Sequence, residues 1–275
     1  YKMEYMIVRQ SEITKIHLSE ISMLIVESTA VSLTAGLLSE LTKRKIKVIF
    51  CDEKRNPSSE LVSYYGSHDT SAKVRQQVGW TAEIKKMMWT EIVSEKIRNQ
   101  QRFLEDLGKK ENVMLAEYIK EIQPGDTTNR EGHAAKVYFN AVFGMDFSRS
   151  LDIPINAALN YGYGIILSTF NREIVSNGYI TQLGLFHDNM FNQFNLGSDL
   201  MEPFRILVDR KVYEMKPEKL EKEEKLQLVN ILNQEVTIDG KRNYVVNAIK
   251  IYCKSVFDAI NDNDVSLIRF YSNEL

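Results

Sequence analysis

The spacing of apolar residues changes character once along this chain, near residue 70, and that change constrains the fold more than any other feature. Before it, Ile13-Thr14-Lys15-Ile16-His17-Leu18 and Ser22-Met23-Leu24-Ile25-Val26-Glu27 are short runs rich in β-branched and aliphatic residues, the mark of strands. Leu33, Leu37, Leu38 and Leu41 recur near the helical period and predict a short helix. The cluster Lys43-Arg44-Lys45 follows at its C-terminal end, where cations suit the helix dipole. Ile46-Lys47-Val48-Ile49-Phe50-Cys51 predicts a further strand, and residues 52–57 a loop.

After residue 70 the pattern is helical. Val74, Val78, Ile84, Met88, Ile92 and Ile97 recur at helical spacing between Ser71 and Leu107. Further helices are predicted from Thr128 to Phe143, Pro154 to Val175, Glu202 to Met215, Glu218 to Asn233 and Asn243 to Ile260. The expected class is α+β: a mainly β, sandwich-like domain over residues 1–69, then an all-helical domain over residues 70–275. A chain of 275 residues with 44% hydrophobic and 26% charged side chains can build two cores, so a disordered or fibrous protein is excluded. No apolar run approaches the roughly 18 residues that span a bilayer. Cys51 and Cys253 allow at most one disulfide, which fits a reducing, cytoplasmic setting. The chain opens on Tyr1 without a signal-peptide pattern, as expected of a segment that begins inside a longer one.

The net charge of −2 gives no global sign of a polyanionic partner, although a basic groove can exist on a neutral protein. Residues 131–210 carry five basic against eight acidic side chains, a balance that suits a site built from carboxylates or simply a larger core. Neither a P-loop nor Gly-x-Gly-x-x-Gly occurs, and there is no Cys-x-x-Cys pair or Gly-x-Ser-x-Gly elbow. Carboxylates with a histidine remain, a ligand set for a hard or borderline divalent ion.

Three places could supply them. Glu131 opens a helix beside the small residues Gly132, Ala134 and Ala135, which would let a neighbouring helix or a substrate approach. Thr128 and Glu131 equally fit a capping box, which needs no further function. His187, in Leu183-Gly184-Leu185-Phe186-His187, reads as a ligand or as packing. Asp199 and Glu202 stand one turn apart before Pro203, as site residues or as acids complementing a helix N-terminus.

Together, Asn129-Arg130-Glu131-Gly132-His133-Ala134-Ala135, the Leu183–His187 segment and Ser198-Asp199-Leu200-Met201-Glu202-Pro203-Phe204-Arg205 closely resemble the integrase family of CRISPR adaptation. Asp152-Ile153-Pro154-Ile155-Asn156-Ala157-Ala158-Leu159-Asn160-Tyr161-Gly162-Tyr163 looks like that family's central helix. The outer segments Ile16–Ile21, Val48–Lys54 and Tyr64–Asp69 look most like members from type II systems. The family's opening strand has no counterpart before Tyr1.

The resemblance implies a β-sandwich joined to a helical catalytic domain, with Glu131, His187 and Glu202 binding one Mg²⁺ or Mn²⁺ ion. It implies an enzyme that inserts prespacer DNA into the repeat array, a 3′ hydroxyl attacking a phosphodiester. Asp199 would orient a ligand or a metal-bound water and Arg205 would contact phosphate, or either would be structural; Asn156, Asn160 and Tyr163 would form a polar stripe along one helix, lining the site or bonding within the core. Expected partners are double-stranded DNA and a second copy joined through the β domain. A small ferredoxin-like second adaptation protein would complete a heterohexamer, and the type II effector nuclease with a ring-forming accessory protein would join it. No membrane is expected. Two rival readings are a metal-dependent nuclease using water as nucleophile and a non-catalytic helical scaffold.

Overall fold

The computed structural model describes residues 1–53, 55–63 and 67–272. Lys54 and residues 64–66, which carry part of the likeness to type II members, lie outside the described residues. The chain divides into two compact units, Tyr1–Thr70 and Ser71–Leu275.

The first unit holds two small sheets. Strands β1 (Tyr5–Arg9) and β2 (Ile13–His17) form an antiparallel hairpin, with Met6 opposite Ile16. Strand β3 (Met23–Val26) runs parallel to β4 (Lys47–Cys51) and is linked to it through helix α1 (Ala35–Lys43). The Thr34 side chain caps α1 by accepting from the Leu37 N–H. Strand β5 (Pro57–Leu61) then pairs antiparallel with β4 at the sheet edge. Its polar sequence shows no alternation, and beyond the loop expected over residues 52–57 the sequence reading assigns no strand there. Pro57 is tolerated there because it opens an edge strand. Met6, Leu18, Val26, Leu37, Leu41 and Val48 bring both sheets and the helix onto one core.

The second unit is mostly helical. The stretch with helical spacing from residue 71 to 107 holds two helices, α2 (Thr70–Val78) and α3 (Ala82–Asp106). Gly79 and Trp80 break the run, and Thr81 caps α3 by accepting from the Ile84 N–H at 3.3 Å. Helix α3 is 25 residues long, about 37 Å, and is buried along most of its length. Helices α4 (Asn112–Glu121), α5 (Arg130–Phe143) and α6 (Pro154–Ser176) follow. After a long loop come the short α7 (Asn195–Leu200), a 3₁₀ turn at Glu202–Phe204, and α8 (Arg205–Met215). A Cβ on Gly162 of α6 would come within 2.4 Å of Val208 Cγ1, so glycine sets how closely α6 and α8 pack.

Helix α9 spans Lys222–Val229, not the full stretch from residue 218. Glu221 caps it in a reciprocal box with Glu224, so residues 218–220 fall before the helix. Strands β6 (Glu235–Ile238) and β7 (Lys241–Tyr244) form a hairpin ahead of α10 (Val245–Asp262). Strand β8 (Tyr271–Ser272) completes a three-stranded sheet in this otherwise helical unit. Phe170, Phe204, Tyr252 and Tyr271 form an aromatic core; Phe204 lies 5.3 Å from Phe170 and 4.4 Å from Tyr271, ring centre to ring centre. Among the described residues, no helix is long and apolar enough to cross a membrane.

Candidate active site

The 3₁₀ turn that opens with Glu202 is fixed from two sides. Asn99 of α3 and the Tyr271 hydroxyl both donate to the Pro203 carbonyl, at 3.2 and 3.1 Å. Glu202 is thereby held in the interior at 4% exposure. Its Oε1 accepts from Arg205 Nε at 2.9 Å. Its Oε2 lies 2.5 Å from Lys96 Nζ, an ion pair off the angle of a hydrogen bond, and among the described residues this buried oxygen takes no other partner. Burial opposes ionisation of Glu202, but the charges of Arg205 and Lys96 outweigh it and hold the carboxyl below its ordinary range.

Lys96 also pairs with Glu131 Oε1, so a single ammonium bridges carboxylates from α5 and from the 3₁₀ turn. Burial disfavours that ammonium, yet Glu202 and Glu131 more than compensate and raise its pKa. The sequence reading does not single out Lys96. The signal is there: Met88, Ile92 and Lys96 stand at i, i+4 and i+8 on the buried face of α3. A lysine on such a row needs a buried partner.

The capping box expected between Thr128 and Glu131 does not form. Asn129, in the left-handed region at φ 53°, caps α5 by accepting from the Gly132 N–H. A Cβ on Gly132 would sit 2.7 Å from Asn129 Oδ1, so the small residue serves the cap rather than the approach of a helix or substrate. Buried Asp126 accepts from the N–H groups of Arg130 and Glu131 at 2.7 and 3.0 Å. With the helix end satisfied by Asn129 and Asp126, the Glu131 side chain is free to reach Lys96.

His187 sits on a loop held by Gln77 of α2, which donates to the carbonyls of Ile180 and Leu183, each at 2.9 Å. Asp199, fully buried, accepts from the backbone N–H groups of Leu185, Phe186 and His187 and lies 2.5 Å from His187 Nδ1. A Cβ on Gly184 would come within 2.7 Å of Asp199 Oδ2, which explains the glycine. The bond to Asp199 raises the His187 pKa against the opposing effect of burial, and the charge of Glu202 adds to the rise. With Nδ1 committed to Asp199, Nε2 is the nitrogen left for a ligand role.

Glu131 and Glu202 thus meet on one cation, and His187 is close enough to feel the charge of Glu202. Among the described residues, no three His, Cys, Asp or Glu side chains form a ready-made metal cluster. The donor set nonetheless fits a divalent ion. It offers two carboxylates already gathered around a positive charge, one buried oxygen without a hydrogen bond among the described residues, and an imidazole with its tautomer fixed.

The remaining polar residues divide. Asn156 and Asn160 accept from Arg149 at 2.6 and 2.5 Å, and Asn156 also donates to the Ser148 and Leu151 carbonyls, pinning the loop before α6. Tyr163 donates to Asp209 and lies under Arg205, whose guanidinium is 4.8 Å from the ring centre. Arg205 is therefore engaged by Glu202 and Tyr163 within the protein.

The chain matches the family model described as CRISPR associated protein Cas1 over residues 2–230. The CRISPR-associated endonuclease Cas1 of Neisseria meningitidis serogroup C is 30% identical over 275 residues, spanning 97% of this chain and 90% of its own. Among solved structures, a chain of a Cas6-RT-Cas1–Cas2 complex superposes with a TM-score of 0.74 at 19% identity. That match covers 99% of this chain and 34% of the larger one. A casposase bound to integration product gives a TM-score of 0.61 at 18% identity, covering 93% of this chain and 89% of that one. At such identities these two structures speak for the fold alone.

Proposed function

Because the chain belongs to the Cas1 family, we propose that it is a metal-dependent DNA integrase of CRISPR adaptation, joining a 3′ hydroxyl of incoming DNA to a phosphodiester of the repeat. The observation that carries this reading is the pairing of Glu131 and Glu202 on one buried cation, with His187 fixed by Asp199 beside them. Glu131, Glu202 and His187 Nε2 would hold Mg²⁺ or Mn²⁺. When bound, such an ion polarises a phosphoryl oxygen and neutralises the charge that develops in the transition state.

The chain's own residues prepare that site. Arg205 and Lys96 keep Glu202 ionised, Asn99 and Tyr271 hold its backbone in place, and Asp199 fixes the His187 tautomer. One phosphodiester replaces another, so no nucleotide energy source is required, in keeping with the lack of a P-loop. The endonuclease name of the Neisseria relative keeps hydrolysis, with water as nucleophile, as the second reading.

The reading extends to partners. The first unit would form a homodimer interface, and a small second adaptation protein would complete a heterohexamer; the solved complex whose title pairs Cas1 with Cas2 is in keeping with such a partner. The likeness to type II members adds the effector nuclease and a ring-forming accessory protein. The near-neutral charge suits DNA binding shared across such an assembly. The test is an integration assay with the second adaptation protein, a supercoiled repeat-bearing plasmid and labelled prespacer. Covalently joined label supports integration; nicked plasmid without joined label supports the nuclease reading.

A further inference from the structure

Arg205 meets Glu202 through one hydrogen bond. Its Nε donates to Glu202 Oε1 at 2.9 Å, and the other oxygen, Oε2, takes no hydrogen bond among the described residues. A guanidinium beside a carboxylate commonly forks across both oxygens instead. Here the Arg205 guanidinium lies over the Tyr163 ring, 4.8 Å from its centre, a cation–π contact that competes with the fork for the same group. Arg149 lies over the same ring at 5.4 Å, itself held by Asn156 and Asn160. Two like charges on one ring need a counter-charge close by, and Asp209 supplies it: the Tyr163 hydroxyl donates to its Oδ1. Tyr138 of α5 donates to Oδ2 at 3.0 Å, so both oxygens are engaged.

Stability alone does not explain this carboxylate. Asp209 is 1% exposed, and the cations around it pair elsewhere: Arg205 with Glu202, Arg210 with Asp106, and Lys96 with Glu131 and Glu202. Burial pushes its carboxyl up to about 6, so at neutral pH its charge costs the fold stability. An asparagine would bond the same two hydroxyls without that cost. It would not supply a negative charge at the hydroxyl end of a ring that carries two guanidinium groups.

We propose that Tyr163 and Asp209 are positioning residues for the joining reaction: they hold Arg205 to one oxygen of Glu202 and so keep the other, which faces Lys96, open to a divalent ion. The inference rests on the metal-dependent reading of the site above. Each residue acts through Arg205 rather than by touching the ion. With the ring or the charge gone, Arg205 is released to fork across both oxygens of Glu202 and compete with the ion.

The test is the Mn²⁺ concentration that half-saturates the rise in melting temperature of the full chain, read beside the Mn²⁺ requirement of joining with the second adaptation protein. Tyr163→Leu should raise both concentrations about tenfold, as expected when a residue that orients a metal site is lost. Asp209→Asn should raise both as well, although the protein itself is more stable at neutral pH, a combination that a purely structural role does not produce. Its added stability keeps the proposal testable even where Tyr163→Leu fails to fold. Adding Arg205→Lys to Tyr163→Leu should restore the wild-type Mn²⁺ requirement in melting, because an ammonium is a point charge without the fork. An unchanged requirement in either single variant, or no rescue by Arg205→Lys, would overturn the positioning role while leaving the integrase reading standing. A wild type whose melting and joining both ignore Mn²⁺ would overturn the metal-dependent reading as well.

Discussion

His187 Nδ1 lies 2.5 Å from Asp199 Oδ1, and the same buried carboxylate gathers the backbone N–H groups of Leu185, Phe186 and His187. One side chain therefore shapes the loop and sets the tautomer of its histidine. Asp199→Asn keeps the size but loses the charge and one acceptor. It should reduce joining by about 10–100-fold, as expected for a residue that orients a metal ligand, and lower stability by about 1–3 kcal/mol through unsatisfied donors. Joining rates and urea unfolding measure the two effects. Undiminished joining would remove Asp199 from the mechanism.

Lys96 holds two acids that would otherwise repel. Lys96→Met leaves buried Glu202 with Arg205 as its one cation and removes the ion pair of Glu131, and should cost about 1–3 kcal/mol without divalent ions. If the cation place between Glu131 and Glu202 also accepts a metal, Mn²⁺ should raise the melting temperature of Lys96→Met more than that of the wild type. An equal Mn²⁺ shift in both proteins would argue against a shared place.

The cap and the carboxylate of α5 are separable, because Asn129 caps while Glu131 reaches Lys96. Asn129→Ala should lower stability by about 1 kcal/mol or more, the helix cap being lost at a left-handed backbone position. Glu131→Gln should abolish joining without that loss of stability. Near-normal joining by Glu131→Gln at ordinary metal concentration would return Glu131 to a structural role.

These separations mark what the sequence makes legible. Glu131, His187 and Glu202 are visible because each sits in a motif, and the boundary near residue 70 because the apolar period changes there. The cap is not, since Thr128 fits the usual pattern while Asn129 works only through a positive φ and the absence of a side chain on Gly132. Lys96 lies among apolar residues far in sequence from its two acids, so its role exists only once α3, α5 and the 3₁₀ turn meet. The β6–β7 hairpin carries a local signal in Asp239-Gly240, both at positive φ. The polar run Lys241–Tyr244 conceals it by lacking a buried face.

Asp209 gives the molecule a pH signature. Burial outweighs the hydrogen bonds from Tyr163 and Tyr138 and pushes its carboxyl from 3.8 up to about 6. The folded state therefore holds this proton more tightly than the unfolded chain. Its stabilisation is complete below the unfolded value and is lost as pH rises through about 6. The shift corresponds to about 3 kcal/mol. Relative to the wild type, Asp209→Asn should gain up to about that much unfolding free energy between roughly pH 4 and pH 7. Parallel stability curves for the two proteins would contradict the assignment.

Strand transfer by His187→Ala, measured beside its melting temperature and its binding of the second adaptation protein, tests most directly whether Glu131, His187 and Glu202 act on one ion to join DNA. The expected result is loss of joined product at every Mn²⁺ concentration, with melting and partner binding like those of the wild type. Joined product at the wild-type rate, or loss of joining only in step with loss of folding, would make His187 a packing residue and contradict the assignment.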